Sequence, residues 1–192
     1  MAAPLEGGAF AAELQRVVAA YRGRIADASD DLALLTARMA AGDRLDDRRT
    51  FPGHLTTSAI VLDPPGRHVL LVLHKATGRW LQPGGHWEPA PGFAASAQRE
   101  AEEETGAAGL HLHPWHAAHD GLPVDIDTHA IPARPAKSEP DHWHFDMRFV
   151  FVAPAEARLV AQVEEVSAAA WRPVSDLAAV CPRVTQRLNL VG

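Results

Sequence analysis

The sequence predicts an α/β protein: a mixed β-sheet sandwiched by helices, with a helical extension at the N-terminus. Three observations carry this. Apolar residues recur every three or four positions through the first fifty residues. From His54 onward they run continuously or alternate, as strands require. One further helical stretch, crowded with glutamate, interrupts the strands after Phe93.

In residues 1–50, Phe10, Leu14, Val17, Val18, Tyr21 and Ile25 make one apolar stripe. Ser29 is placed to cap a second helix carrying Leu32, Leu35 and Met39, and Gly42 to end it. This extension is expected to pack on the main domain, residues 51–192, or on a second subunit of a homodimer. HLTTSAIVL predicts the first strand and DPPG a turn. HVLLVLH is an apolar run that predicts a strand covered on both faces. WLQPGGHWEPAPG reads as loop, leading into a helix that begins near Phe93 and stops at Gly106. VDIDTHAI and HWHFDMRFVFV alternate strictly, and the proline-marked loop PARPAKSEPD joins them as an antiparallel pair. AAAWRPV predicts a last short strand. Ser175 is then placed to cap a helical tail that breaks and restarts at Pro182.

Composition narrows the function. Apolar residues are 47% of the 192, enough for a sizeable core. The formal charge of -6, with no Lys/Arg-rich block, argues against a nucleic-acid polymer or an anionic membrane as partner. A phosphate ligand would need local cations. No apolar run approaches the ~20 residues that span a bilayer, and the N-terminus lacks the basic and apolar regions of a secretory signal. A cytoplasmic location is therefore expected. The single cysteine, Cys181, excludes a disulfide framework and a cysteine metal site, and is expected to serve as a small packing residue.

The stretch REAEEETG, Arg99 to Gly106, holds four glutamates at the end of the predicted helix, where partial negative charge disfavours them. With Glu100 at zero on a helical wheel, Glu103 falls at about 300° and Glu104 at about 40°, so the three share one face, while Glu102 at about 200° points away. A solvated acidic face is one reading. Such a face would usually interleave lysine, and none occurs between Lys75 and Lys137. A bound divalent cation reverses the repulsion, and Mg²⁺ prefers carboxylate oxygens.

The segment GGHWEPAPGFAASAQREAEEETGA resembles the Nudix box, written G-x5-E-x7-R-E-U-x-E-E-x-G-U with U aliphatic. Gly85 takes the first position, Arg99 and Glu100 the R-E pair, Glu103 and Glu104 the E-E pair, and Gly106 the last glycine; Ala101 and Ala107 sit at the aliphatic positions. GRWLQPGGHWEP and AAAWRPVSDL resemble the flanking segments, so the likeness covers residues 54–180. One position departs: the first glutamate of the box falls on Pro91, with Glu88 three residues earlier. The resemblance implies an α/β/α sandwich and metal-dependent hydrolysis of a nucleoside diphosphate linked to another moiety. It implies Glu100, Glu103 and Glu104 as ligands of Mg²⁺, or of Mn²⁺. Arg99 would orient the box through an internal salt bridge. Such ions neutralise charge on the diphosphate and acidify a bound water.

The alternating strands add a second constellation. Asp125, Asp127 and His129 share one face of the first; His142, His144, Asp146 and Arg148 share one face of the second, with Trp143, Phe145, Met147 and Phe149 opposite. These polar faces read either as a wall that binds substrate, together with Gly85, or as a solvated surface over an apolar core. A His/Asp transition-metal site is a third reading; histidine suits Zn²⁺, but no tight His-x3-His spacing supports it. Arg134, Lys137 and Glu139 of the joining loop read as a closing flap or as ordinary loop charges, and Trp80 and Trp87 as packing residues. Two other functions are consistent with the fold: a non-catalytic nucleotide-binding or sensing module, and an isopentenyl diphosphate isomerase. The isomerase needs a cysteine near the strand before the box, and Cys181 is far downstream.

Overall fold

A computed structural model describes residues 3–25, 32–160 and 166–190. The helices α1 (Gly7–Arg24) and α2 (Leu32–Ala41) come first; Ser29 lies outside the described residues. The stripe forms as its spacing requires: Phe10, Leu14, Val17, Val18, Tyr21 and Ile25 are all buried. Gly42 ends α2 with φ of +77°, a conformation that glycine adopts without penalty.

The strands and remaining helices follow in order: β1 (Gly53–Leu62), β2 (His68–His74), β3 (Arg79–Leu81), β4 (Gly84–His86), α3 (Phe93–Thr105), β5 (His111–Leu112), α4 (Pro114–Ala118), β6 (Asp125–Ile131), β7 (His142–Val152), β8 (Val166–Pro173) and α5 (Pro182–Arg187). The sheet runs β3-β2-β1-β7-β5, with β8 on β2, β4 on β1 and β6 on β7. It is mixed. Strands β1 and β2 pair antiparallel, as do β2 and β8. Trp143 N–H donates to Pro52 and Ala153 N–H to Leu62, so positions on β1 and β7 advance together and these two run parallel.

Two expectations are corrected. The stretch WLQPGGHWEPAPG is not all loop: Arg79–Leu81 pairs with β2 in register Val72 to Leu81, and Gly84–His86 pairs with β1. Three residues suffice for backbone pairing but not for a periodicity. Ser175 caps nothing; it lies inside a 3₁₀ turn, Val174–Ala179, whose N-cap is Pro173. The restart at Pro182 is as expected, with proline in the first turn of α5, where its missing N–H is not needed.

By its contacts the chain divides into two compact units. One comprises Met1–Thr57, His86–Ser96 and Ile126–Met147; the other Ser58–Gly85, Ala97–Asp125 and Arg148–Gly192. In the first, Phe10 packs on Trp87 and Phe93 with ring centroids 5.3 and 5.7 Å away, and Tyr21 Oη accepts from Ile126 N–H at 3.2 Å. The stripe of α1 is therefore consumed within this chain. In the second, Ile60, Leu62, Val69, Leu71, Val124, Val150, Leu177, Cys181 and Val184 form one apolar cluster. Cys181 is fully buried there, its thiol 3.6 Å from Gln82 Oε1, in the packing role expected of it.

Candidate active site

The second unit holds the glutamate helix. Glu104 is only 9% exposed and accepts from Gly84 N–H at 3.0 Å. The Glu100 carboxylate lies so close to Gly85 that a Cβ at that position would collide with it. Gly85 has no positive φ, so what demands glycine there is the close approach of the carboxylate. Arg99 sits between two of the three acids: Nη2 pairs with Glu100 Oε1 at 2.8 Å and Nη1 with Glu103 Oε2 at 2.9 Å. Glu103 remains 50% exposed. Glu102 turns to the other side and accepts from Gln98 Nε2 at 3.0 Å, as the wheel predicts.

This answers part of the electrostatic puzzle. α3 has no basic residue in its last turn, yet Arg99, a turn earlier, offsets one of the three charges on the shared face. Three carboxylates and one guanidinium leave that face at a formal charge of -2. The helix end itself is closed by Val160 N–H donating to Thr105 C=O at 2.7 Å, and Gly106 leaves in the left-handed region with φ of +70°.

The same unit contains a charge cluster that sequence reading missed. Asp125 is fully buried and accepts from Arg148 Nη1 at 2.9 Å, Arg183 Nε at 2.9 Å and Arg187 Nη1 at 2.8 Å. Its sequence signal is the Arg183–Arg187 spacing on α5, which puts both guanidiniums on one helical face. A carboxylate with three guanidiniums stays ionised, and such a buried network fixes β6, β7 and α5 to one another.

The first unit gathers five imidazoles: His54 on β1, His86 on β4, His129 on β6, and His142 and His144 on β7. Ring centroids lie 5.0 Å apart for His54 and His142, 4.9 Å for His54 and His144, and 5.1 Å for His54 and His86. Burial, followed by Arg48 and neighbouring imidazoles, pushes His86 down to about 3; burial, followed by the surrounding imidazoles, pushes His144 down to about 2. Burial also lowers His54. These three are neutral at physiological pH. His142 Nδ1 donates to Pro140 C=O at 2.8 Å and His54 Nδ1 to Thr50 C=O at 3.3 Å, so both rings keep a bare Nε2. His54 and His86 carried no signal in the sequence, because their partners lie on other strands.

The polar face of β7 is not a wet surface, whereas Asp127 and His129 on β6 are part-exposed. Asp146 and Arg148 are buried; Thr56 Oγ1 donates to Asp146 at 3.2 Å. Of the predicted apolar face, Phe145, Met147 and Phe149 are buried, but Trp143, at the strand's start, is 38% exposed. His129 Nδ1 is 2.8 Å from Asp127. The joining loop is pinned by an antiparallel bridge between Arg134 and Glu139.

A family model, the NUDIX domain, matches residues 52–188. The chain belongs to the Nudix family. No curated protein matches it. Among solved structures it is similar to a Nudix-family hydrolase from Clostridium perfringens (21% identity, 72% of this chain and 98% of that one, TM-score 0.49). It is also similar to the E. coli dihydroneopterin triphosphate pyrophosphohydrolase (16%, 70% and 95%, 0.50) and to an Ap4A hydrolase from C. elegans (14%, 70% and 94%, 0.50). The last two share its fold. The segment that resembles the Nudix box, Gly85 to Ala107, takes in the glutamate helix. Where the box pattern has its first glutamate, the exposed Pro91 stands, with Glu88 also exposed. Among the described residues no helix is long and apolar enough to cross a membrane.

Proposed function

We propose that this Nudix hydrolase cleaves a diphosphate bond in a nucleoside diphosphate linked to another moiety, by water attack at phosphorus, with Mg²⁺ or Mn²⁺ held by Glu100, Glu103 and Glu104. The observation that carries the proposal is the convergence of carboxylates on the Gly84–Gly85 backbone. Glu104 is anchored on Gly84 N–H, Glu100 lies in the space that a side chain at 85 would fill, and Glu103 keeps a half-exposed carboxylate.

The donor set fits the ion. Three hard, anionic oxygen ligands on one helical face suit Mg²⁺, which leaves its other positions to water and phosphate oxygens. When bound, the ion neutralises charge on the diphosphate and acidifies water. The chain's own residues do the rest. Arg99 pairs with Glu100 and Glu103 and holds them against mutual repulsion, so it is a positioning residue. Gly85 admits the Glu100 carboxylate and leaves the backbone open to ligand. Asp146 and Arg148 hold protein partners, Thr56 and Asp125, and therefore position β7. His144, held neutral by burial, offers nitrogen beside the His142 ring where a substrate hydroxyl or a cation could be met. The similar structures of a dihydroneopterin triphosphate pyrophosphohydrolase and an Ap4A hydrolase support a substrate that carries a chain of linked phosphates.

The test is a panel of ADP-ribose, nucleotide sugars, CDP-alcohols, dinucleoside polyphosphates and oxidised nucleotides. It is assayed with Mg²⁺, with Mn²⁺ and with chelator, and phosphate is read after phosphatase treatment. At least one member should be cleaved with either ion and none with chelator. Binding of a panel member without cleavage under any ion would overturn the proposal in favour of a sensing module.

A further inference from the structure

We propose that His54, His142 and His144 form a separate site for a transition-metal dication of the zinc class. One ring nitrogen of each lies within 4.8 Å of the others. A packed cluster of imidazoles would satisfy its nitrogens with hydrogen bonds. This one does not: His54 Nε2 is buried and has no hydrogen-bond partner among the described residues. A buried bare nitrogen facing two more imidazoles is a lone pair without a use, unless a cation takes it.

Two of the three tautomers are already those of a ligand set. Metal-binding histidine normally donates its other ring N–H to a carbonyl or carboxylate, which orients the ring and frees the remaining nitrogen. His142 does this toward Pro140 and His54 toward Thr50. His142 Nε2 and His144 Nε2 lie 3.2 Å apart. Zinc–nitrogen bonds of 2.0–2.1 Å at a tetrahedral angle put two ligand nitrogens roughly 3.3 Å apart. The pair is therefore spaced as ligands already. The third nitrogen needs a closure of about 1.5 Å, within reach of side-chain rotation.

With His142 Nε2 bare, the close contact means that His144 Nε2 carries the proton in the metal-free state. Binding shifts that proton to His144 Nδ1, and no proton is released. Neutral imidazoles suit Zn²⁺, Co²⁺ and Ni²⁺ and are poor ligands for Mg²⁺, so this donor set and the carboxylates select different ions. The nearby Arg48, which would oppose a cation, is paired with Glu139 at 3.7 Å. Three protein ligands leave a fourth position for water or a ligand oxygen, as in catalytic rather than structural zinc sites.

The experiment titrates the full, metal-stripped chain with Co²⁺, followed by visible absorption, and with Zn²⁺, followed by calorimetry. Wild type should bind one equivalent with the intense ligand-field bands of a tetrahedral nitrogen site. His54→Ala and His144→Ala should each weaken binding by more than about 100-fold, beyond the loss typical of an outer-shell partner. Glu103→Gln and Glu104→Gln should leave the Co²⁺ bands unchanged, which separates this site from the hydrolase reading. No stoichiometric binding, bands unaffected by either histidine change, or bands lost with the glutamate changes would each overturn the proposal. Should the His54 variant not fold, X-ray absorption of Zn²⁺-loaded wild type decides: imidazole scattering supports the site, and an oxygen-only shell overturns it.

Discussion

The glutamate helix and the histidine cluster each crowd together groups that folding alone would keep apart, and they resolve the conflict in opposite ways. On α3 the charge is retained. Arg99 offsets one carboxylate of three, and Glu103 stays half in water, where solvent screens it. In the histidine cluster the charge is removed. Burial holds His54, His86 and His144 neutral, and what remains is bare nitrogen rather than repulsion. The carboxylates come from five consecutive residues, whereas the imidazoles come from four strands. A polar cluster can thus be made by local spacing or by strand pairing. The first kind keeps a net charge suited to hard ions, the second a neutral donor set suited to softer ones.

Breaking the glutamate side should have the largest effect. Glu103→Gln and Glu104→Gln should each lower turnover by more than about 100-fold, beyond the 10–100-fold typical of groups that act through a ligand. Glu102→Gln, on the other side of α3, should change turnover by less than about twofold. Steady-state rates for all three check this, beside melting curves: Mg²⁺ should raise the Tm of wild type but not of Glu104→Gln. Equal losses for Glu102→Gln and Glu103→Gln would sink the helical-face argument.

Gly85→Ala should come next. The three atoms nearest the added Cβ all belong to the Glu100 carboxylate, the far end of a side chain that can turn, so the fold should survive while that carboxylate is displaced, and kcat should fall by about 10-fold, as for a disturbed outer-shell partner. Circular dichroism unchanged with kcat reduced is the expected pair of results. A full-rate Gly85→Ala enzyme would show that Glu100 need not sit there.

A buried histidine outside both clusters sharpens the contrast. His116 Nδ1 donates to Leu122 C=O at 2.7 Å and Nε2 accepts from Val150 N–H at 2.9 Å, so the ring is neutral by construction, and burial lowers it from 6.5. The sign follows. Well above pH 6.5 neither folded nor unfolded chain protonates this ring, and its contribution is complete. Below that, the unfolded state takes up a proton that the folded state refuses. Stability then falls with falling pH, by at most about 1.4 kcal/mol per pH unit for this one group, until the folded ring titrates. Denaturant melts at pH 7.5 and 5.5 should show a smaller acid loss in His116→Gln than in wild type; an equal loss would contradict the assignment.

The smallest effect should come from His54→Leu. It removes a long hydrogen bond and an unpartnered buried nitrogen together, so metal-free stability should change by less than about 1 kcal/mol. A larger loss in urea melts would mean that the ring is structural, and the contrast between the two clusters would narrow.

What the chain alone determined is whatever depends on residues close in sequence. The stripe of α1, the bounds of α3, the separation of Glu102 from Glu100, Glu103 and Glu104, and the restart at Pro182 all follow from backbone period and local sterics, which need no partner. The box likewise lies within one stretch, Gly85 to Ala107, and its family was legible there. Tertiary structure decided the rest. Only strand pairing brings His54 and His86 to His144, and only packing of α5 brings Arg183 and Arg187 to Asp125. The alternation of β6 and β7 was visible, but not that Asp125, Asp146 and Arg148 on its polar face are buried. A period of two assigns side chains to faces; what covers each face depends on contacts from distant parts of the chain.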